Sequence, residues 1–237
     1  MMALSQTVVG DWRLDDEPFL ASFSLPRAED RIDPLAALNP LPGENRLRFD
    51  AELHRYCHDD VLVPRSVTAL VKSYCAEFDA KRAAEGMLSS STWPERRAEY
   101  EVEGVATAES IVAQWTRNGE VQRARGQLLH FQADQLCQGR CIDEPWSPEL
   151  RQGQAILNTL QLHGLRPYRS EVSLFHAGLQ VAGQPDLLMQ DEDKTVYVVD
   201  WKRIRALTAD CRFRTMRPPL CHLPDTNYWH YALQVGV

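Results

Sequence analysis

Gly183-Gln184-Pro185-Asp186 leads into the apolar run Leu187-Leu188-Met189 and the charged turn Gln190-Asp191-Glu192-Asp193-Lys194. A second apolar run follows and closes in Val199-Asp200-Trp201-Lys202. Apolar runs of this length between turn-rich segments predict strands. Two acids and a lysine are thereby delivered at the ends of neighbouring strands. That is the minimum set for holding a divalent cation against a phosphodiester and activating water beside it.

Working outward, residues 168–175 alternate as a first strand, 179–189 form a second and 195–201 a third. The turns His176-Ala177-Gly178 and 190–194 are short, so the neighbours are antiparallel and the three strands form a meander. Pro185 biases Gln184 toward extended geometry and denies the ladder a donor, which places a strand edge or a bulge beside Asp186. Asp200 ends the apolar strand Val196-Tyr197-Val198-Val199, where an acid costs desolvation unless it is paired or bound to a cation. Lys202, two residues on, shares the face of Asp200. Trp201 points the other way, with its carbonyl able to reach a cation. A lone acid-x-Lys is most simply a structural ion pair. With Pro-Asp one strand earlier, the ion pair and the active site are evenly balanced.

Helices are expected on both sides of the meander. Ser66 is a good N-cap before Val67, Leu70, Val71 and Tyr74, which recur at helical spacing. Further helices are predicted over 106–115, from Gly126 to near Gly139, over 148–162 closed by His163-Gly164, and over 228–235. Before them, residues 47–49, 53–56 and 61–63 read as short strands of a small antiparallel unit. Residues 1–45 are acidic or proline-rich and aperiodic, and predict an irregular or disordered arm. The fold class expected is α/β or α+β, with one mainly antiparallel or mixed central sheet flanked by helices.

The composition sets limits on function. The chain has 237 residues and a net charge of −7, so it lacks the overall basic balance of many nucleic-acid binders. A local basic stretch stands against that number: Lys202, Arg203, Arg205, Arg212, Arg214 and Arg217 follow one another with only Asp210 among them. Charge alone reads it as a solvated loop, although it could also track phosphates. Six cysteines include no C-x-x-C pair, which gives little support to a zinc site or an iron–sulfur cluster and favours reduced intracellular thiols. No apolar run reaches the length of a membrane span, and the N-terminus does not read as a secretory signal.

Two more residues have chemistry to offer. Glu171 lies inside the first strand, where the default is a solvent-facing position. His130 lies on the predicted helix after Gly126, where the default is a partly buried histidine. Neutral imidazole is nonetheless a good metal ligand and favours manganese beside magnesium.

The ordered set Gly126-x3-His130, Glu171, Gly183-x-Pro185-Asp186, Asp200-x-Lys202 and Gln234 resembles the PD-(D/E)XK nuclease superfamily. It is most similar to the RecB-like exonuclease branch, which includes phage, viral and mitochondrial genome maintenance exonucleases. Ser66-Val67-Thr68 also resembles a helix start of that branch. The resemblance covers residues 46–237 and implies a restriction-endonuclease-like core. It implies that His130, Asp186 and Asp200, with the Trp201 carbonyl, bind Mg²⁺ or Mn²⁺. Lys202 would position the attacking water and stabilise developing charge, Glu171 would shape the metal site, and Gln234 would lie near the nucleic-acid strand. Arg203 and Arg205 are expected on the phosphate backbone. The implied partner is DNA, with RNA as the alternative, and a catalytically inactive nucleic-acid-binding scaffold as a further one. In the family the glutamine helix continues to a tyrosine four residues on, whereas this chain stops at Val237. A truncation within that helix is therefore expected.

Overall fold

The computed structural model describes residues 33–50, 52–101, 104–142 and 146–237. Among them are seven α-helices and three small sheets, so the class is mixed α+β. The described residues divide into two compact units, 76–127 and the remainder.

The larger unit begins with α1 (Pro34–Leu38), capped by Asp33, whose carboxylate accepts from the Ala36 N–H at 2.8 Å. A 3₁₀ turn (Glu44–Arg46) leads into the antiparallel hairpins β1 (Leu47–Asp50), β2 (Arg55–His58) and β3 (Val61–Leu62). The two-residue turn between β2 and β3 has Asp59 and Asp60 both at positive φ, the tight turn whose twist suits a hairpin. Here the sequence expectation of a small antiparallel unit is met. The arm expected to be irregular through residue 45 is instead structured from Asp33. Leu35 is buried, and its N–H donates to Gln138 Oε1 at 3.2 Å. The rest of that arm lies outside the described residues.

β4 (Arg65–Ser66) runs into α2 (Val67–Ser73), and Ser66 Oγ caps it by accepting from the Ala69 N–H at 3.1 Å. The smaller unit holds α3 (Ala80–Leu88) and α4 (Trp93–Tyr100), which the sequence reading did not include, although Asp79 caps α3 by accepting from the Arg82 N–H at 2.9 Å. Trp93–Tyr100 is mostly polar and carries no helical apolar stripe. Ala84, Ala108 and Ile111 form the buried centre of this unit.

α5 (Ala108–Cys137) is one unbroken helix of 30 residues. The expected break at Gly126 is absent, because Gly119 and Gly126 both lie in its interior. Each glycine costs about 1 kcal/mol against alanine there, an amount that the length of the helix and its buried positions absorb. α6 (Pro148–Leu162) matches the expected helix, with Ser147 as N-cap and Gly164 at φ +84 after the C-cap His163.

The predicted meander forms, but two of its strands are cut. The first becomes β5 (Arg166–Ser170) and β6 (Leu174–His176); the second becomes β7 (Val181–Gly183) and β8 (Leu187–Gln190). β5, β8 and β9 (Val196–Val199) make one antiparallel sheet, and β6 and β7 pair antiparallel in another, where β4 adds in parallel. β9 is more exposed than its apolar sequence predicts: Val196, Tyr197 and Val198 are all exposed, since the strand is the edge of its sheet. The core under this sheet joins Leu187, Met189 and Trp201 to Leu35, Ala133, Cys137 and Leu157. α7 (Asn227–Gly236) ends the chain and packs with α2.

Gly183 has a packing role. A Cβ on it would lie 2.8 Å from Val67 Cγ2 and 3.3 Å from Val67 Cβ. β7 thus lies hard against the first turn of α2, on a β-branched side chain with little rotamer freedom. Gly183→Ala is expected to lose about 1–3 kcal/mol of stability, read as a lower denaturation midpoint at unchanged slope. Thiol chemistry tests the core separately. Burial pushes the Cys137 thiol up to about 12, whereas Cys141 and Cys221 are exposed. In the native chain at pH 8, Cys141 and Cys221 should therefore react promptly with a disulfide reagent, and Cys137 only after unfolding.

Candidate metal centre

The two cut strands break at the same level. Glu171 sits at the end of β5 with φ +48, a left-handed conformation that is uncommon for a side-chain-bearing residue. Its N–H donates to the Asp186 carbonyl at 3.1 Å, and the Gln184 side-chain amide donates to the Glu171 carbonyl at 2.6 Å. Pro185 has no N–H to continue the ladder. The breaks are therefore stitched to each other, and each turns one acid out of the strand alternation.

His130, on α5, meets those acids. Its Nδ1 lies 3.1 Å from Asp186 Oδ1, and ligand atoms of His130, Glu171 and Asp186 all lie within 4.8 Å of one another. Asp186 is buried, and its other oxygen accepts from the Trp201 N–H at 2.5 Å. The Trp201 backbone thus braces Asp186, while its side chain belongs to the core. Burial alone would lower the pKa of His130. The hydrogen bond and charge of Asp186, helped by Glu171 and opposed by Lys202, raise it above the ordinary value.

Asp200 and Lys202 stand beside this group as a closed ion pair, Nζ to Oδ2 at 2.5 Å. The Asp200 side chain is 17% exposed, so the acid is largely buried although its strand is not. Burial first, and the Asp186 charge second, lift the pKa of its carboxyl above the usual range; Lys202 and His130 compensate only in part. Acids held in that state gain from a nearby cation. Lys202 also lies 5.5 Å from the centroid of the Tyr231 ring, on α7. Gln234 follows one turn further along α7 and is partly buried.

The sequence reading needs changes here. Glu171, expected to shape the metal site, is one of the three groups that converge. Asp200, expected as a direct ligand, is engaged by Lys202. Arg203, expected on the phosphate backbone, is buried: its side chain is 6% exposed and its guanidinium pairs with Glu149, Nε at 2.9 Å and a terminal nitrogen at 2.7 Å. Arg205 is exposed.

Two contributors escaped the sequence reading. Tyr231 carried no recognisable spacing to Lys202. Asp134 lies one turn beyond His130 on α5 and is buried. It accepts from Ser170 Oγ at 2.6 Å, and the Gln138 amide donates to Ser170 Oγ at 2.7 Å. This network ties α5 to the residue next to Glu171. An acid one turn from a candidate ligand, amid Phe131, Ala133 and Leu136, was the available signal.

A histidine nitrogen with carboxylate oxygens is a donor set that hard divalent ions accept, and manganese tolerates it best. Comparison of the chain with protein families, with curated proteins and with solved structures finds no match.

Asp134→Ala removes the acceptor of a buried hydroxyl, which should cost about 1–3 kcal/mol. It should also weaken Mn²⁺ binding, measured by calorimetry on the folded variant, because His130 and Glu171 lose their common anchor.

Proposed function

We propose that the chain is a metal-dependent nuclease with a restriction-endonuclease-like core. It hydrolyses phosphodiester bonds of DNA as an exonuclease or end-processing enzyme in repair, recombination or replication. The observation that carries this reading is the convergence of His130, Glu171 and Asp186 beside the Asp200–Lys202 pair. Its order along the chain supports the same reading.

His130, Glu171 and Asp186 would hold Mg²⁺ or Mn²⁺, with Asp200 and the Trp201 carbonyl flanking them. Such an ion, when bound, neutralises the scissile phosphate and lowers the pKa of water. Lys202 holds its ammonium between Asp200 and Tyr231, where it can orient a water and donate to developing negative charge. Asp186 fixes the tilt of the His130 ring through Nδ1. Arg205 supplies an exposed positive charge for the phosphate backbone, and Gln234 faces the strand from α7.

The closed Asp200–Lys202 pair also suits a binding scaffold without turnover. A single assay separates the readings: purified chain with labelled single-stranded and duplex DNA and RNA, with and without Mn²⁺. Metal-dependent DNA cleavage is expected, falling at least about a hundredfold in Lys202→Ala and abolished in Asp200→Ala, with circular dichroism unchanged. Cleavage of RNA alone would make it an RNA endonuclease. Binding without cleavage would leave the scaffold, and full activity in Lys202→Ala would sink the assignment of that residue.

A further inference from the structure

A second cluster of ligating side chains lies outside the acidic group. Cys75 follows α2, Asp225 precedes the N-cap of α7, and His230 lies in the first turns of α7. Cys75 Sγ is 3.3 Å from His230 Nε2, and the same nitrogen is 2.6 Å from Asp225 Oδ1. The three ligand atoms all lie within 4.8 Å of one another.

This is not the geometry of a nucleophile–base–acid triad. In a triad the acid and the nucleophile use opposite ring nitrogens. Here both meet Nε2. A single imidazole nitrogen cannot both donate to Asp225 and accept from the thiol; the thiol hydrogen bonds the Val71 carbonyl at 3.4 Å, which leaves the 3.3 Å sulfur–nitrogen approach without a proton of its own. A cation at their common focus satisfies sulfur, nitrogen and oxygen together. The second Asp225 oxygen is held by Arg214 at 3.0 Å, the kind of outer partner that orients a ligating carboxylate. The Asp225 side chain is fully buried, so the group is built into the fold.

We propose that Cys75, Asp225 and His230 form a zinc site that braces α2 against α7. A thiolate, an imidazole and a carboxylate together suit Zn²⁺, and the cysteine separates this site from the sulfur-free, hard-ion group around Asp186. Three protein donors leave a fourth tetrahedral position for water. In the free site the thiol carries the proton that it donates to the Val71 carbonyl. Zinc replaces that proton, which passes to solvent as the S–Zn bond forms. The site links residues 155 apart in the chain. It also fixes the helix on which Tyr231, next to His230, reaches Lys202.

The test is a Co²⁺ titration of the metal-stripped full chain, followed through the near-ultraviolet thiolate-to-cobalt charge-transfer band. The band should saturate at one cobalt per chain, disappear on adding Zn²⁺ and ignore excess Mg²⁺. It should be absent in Cys75→Ser. Arg214→Ala, which keeps all three ligands, should weaken cobalt binding by about 10–100-fold; if Cys75→Ser does not fold, this variant and the wild type decide the matter. Asp200→Ala should keep the band while losing cleavage, so failure of the nuclease reading is separately visible. A folded wild type without the band, or a band that survives in Cys75→Ser, overturns the zinc site.

Discussion

The Asp186 carboxylate is the interaction on which the rest of the larger unit depends. It is buried, and each of its oxygens is committed to a different element. Oδ1 faces His130 on α5, and Oδ2 accepts from the backbone of Trp201 just after β9. A buried carboxylate without partners would cost several kcal/mol. Its partners therefore fix where the helix and the edge strand must lie. The three elements that carry the candidate chemistry meet at this one group.

The strand breaks make that placement possible. In an unbroken ladder, Glu171 and Asp186 would follow the alternation of their strands and point where the pleat dictates. The left-handed φ of Glu171 and the missing donor of Pro185 cut both strands at one level. The exchanged hydrogen bonds between 171, 184 and 186 then hold the cut open. Strain of this kind persists only where surrounding structure over-determines it. The Asp134–Ser170–Gln138 network on one side and the Gly183–Val67 contact on the other provide that surrounding structure.

Charge distribution follows the same plan. The chain is acidic as a whole, and Glu171, Asp186 and Asp200 lie together at the candidate centre. The basic stretch after Lys202 is not a uniform phosphate track. Arg203 pairs with Glu149 in the interior, and Arg214, itself half-exposed, pairs with the buried Asp225. Any electrostatic grip on a polyanion from this stretch falls to Arg205 and its exposed neighbours, Arg212 and Arg217.

Local sequence determined the elements whose signals are local. Ser66 and Gly164 mark helix ends because caps and left-handed turns are one-residue effects. The hairpins of 47–62 and the helix Pro148–Leu162 were legible for the same reason. The order His130, Glu171, Asp186, Asp200, Lys202 was legible as a candidate constellation. Only the tertiary structure decided which of them meet. Glu171 joined His130 and Asp186 because two strands break together, and no periodicity in one strand reports a break in its neighbour. Arg203 was lost to Glu149, and Tyr231 gained beside Lys202, through contacts between segments distant in the chain. Gly126 shows the converse: its local preference argued for a helix end, and the cooperative length of α5 overrode it. Short-range stereochemistry is written in neighbouring residues, whereas the pairing of buried charges is settled by which distant segments pack together.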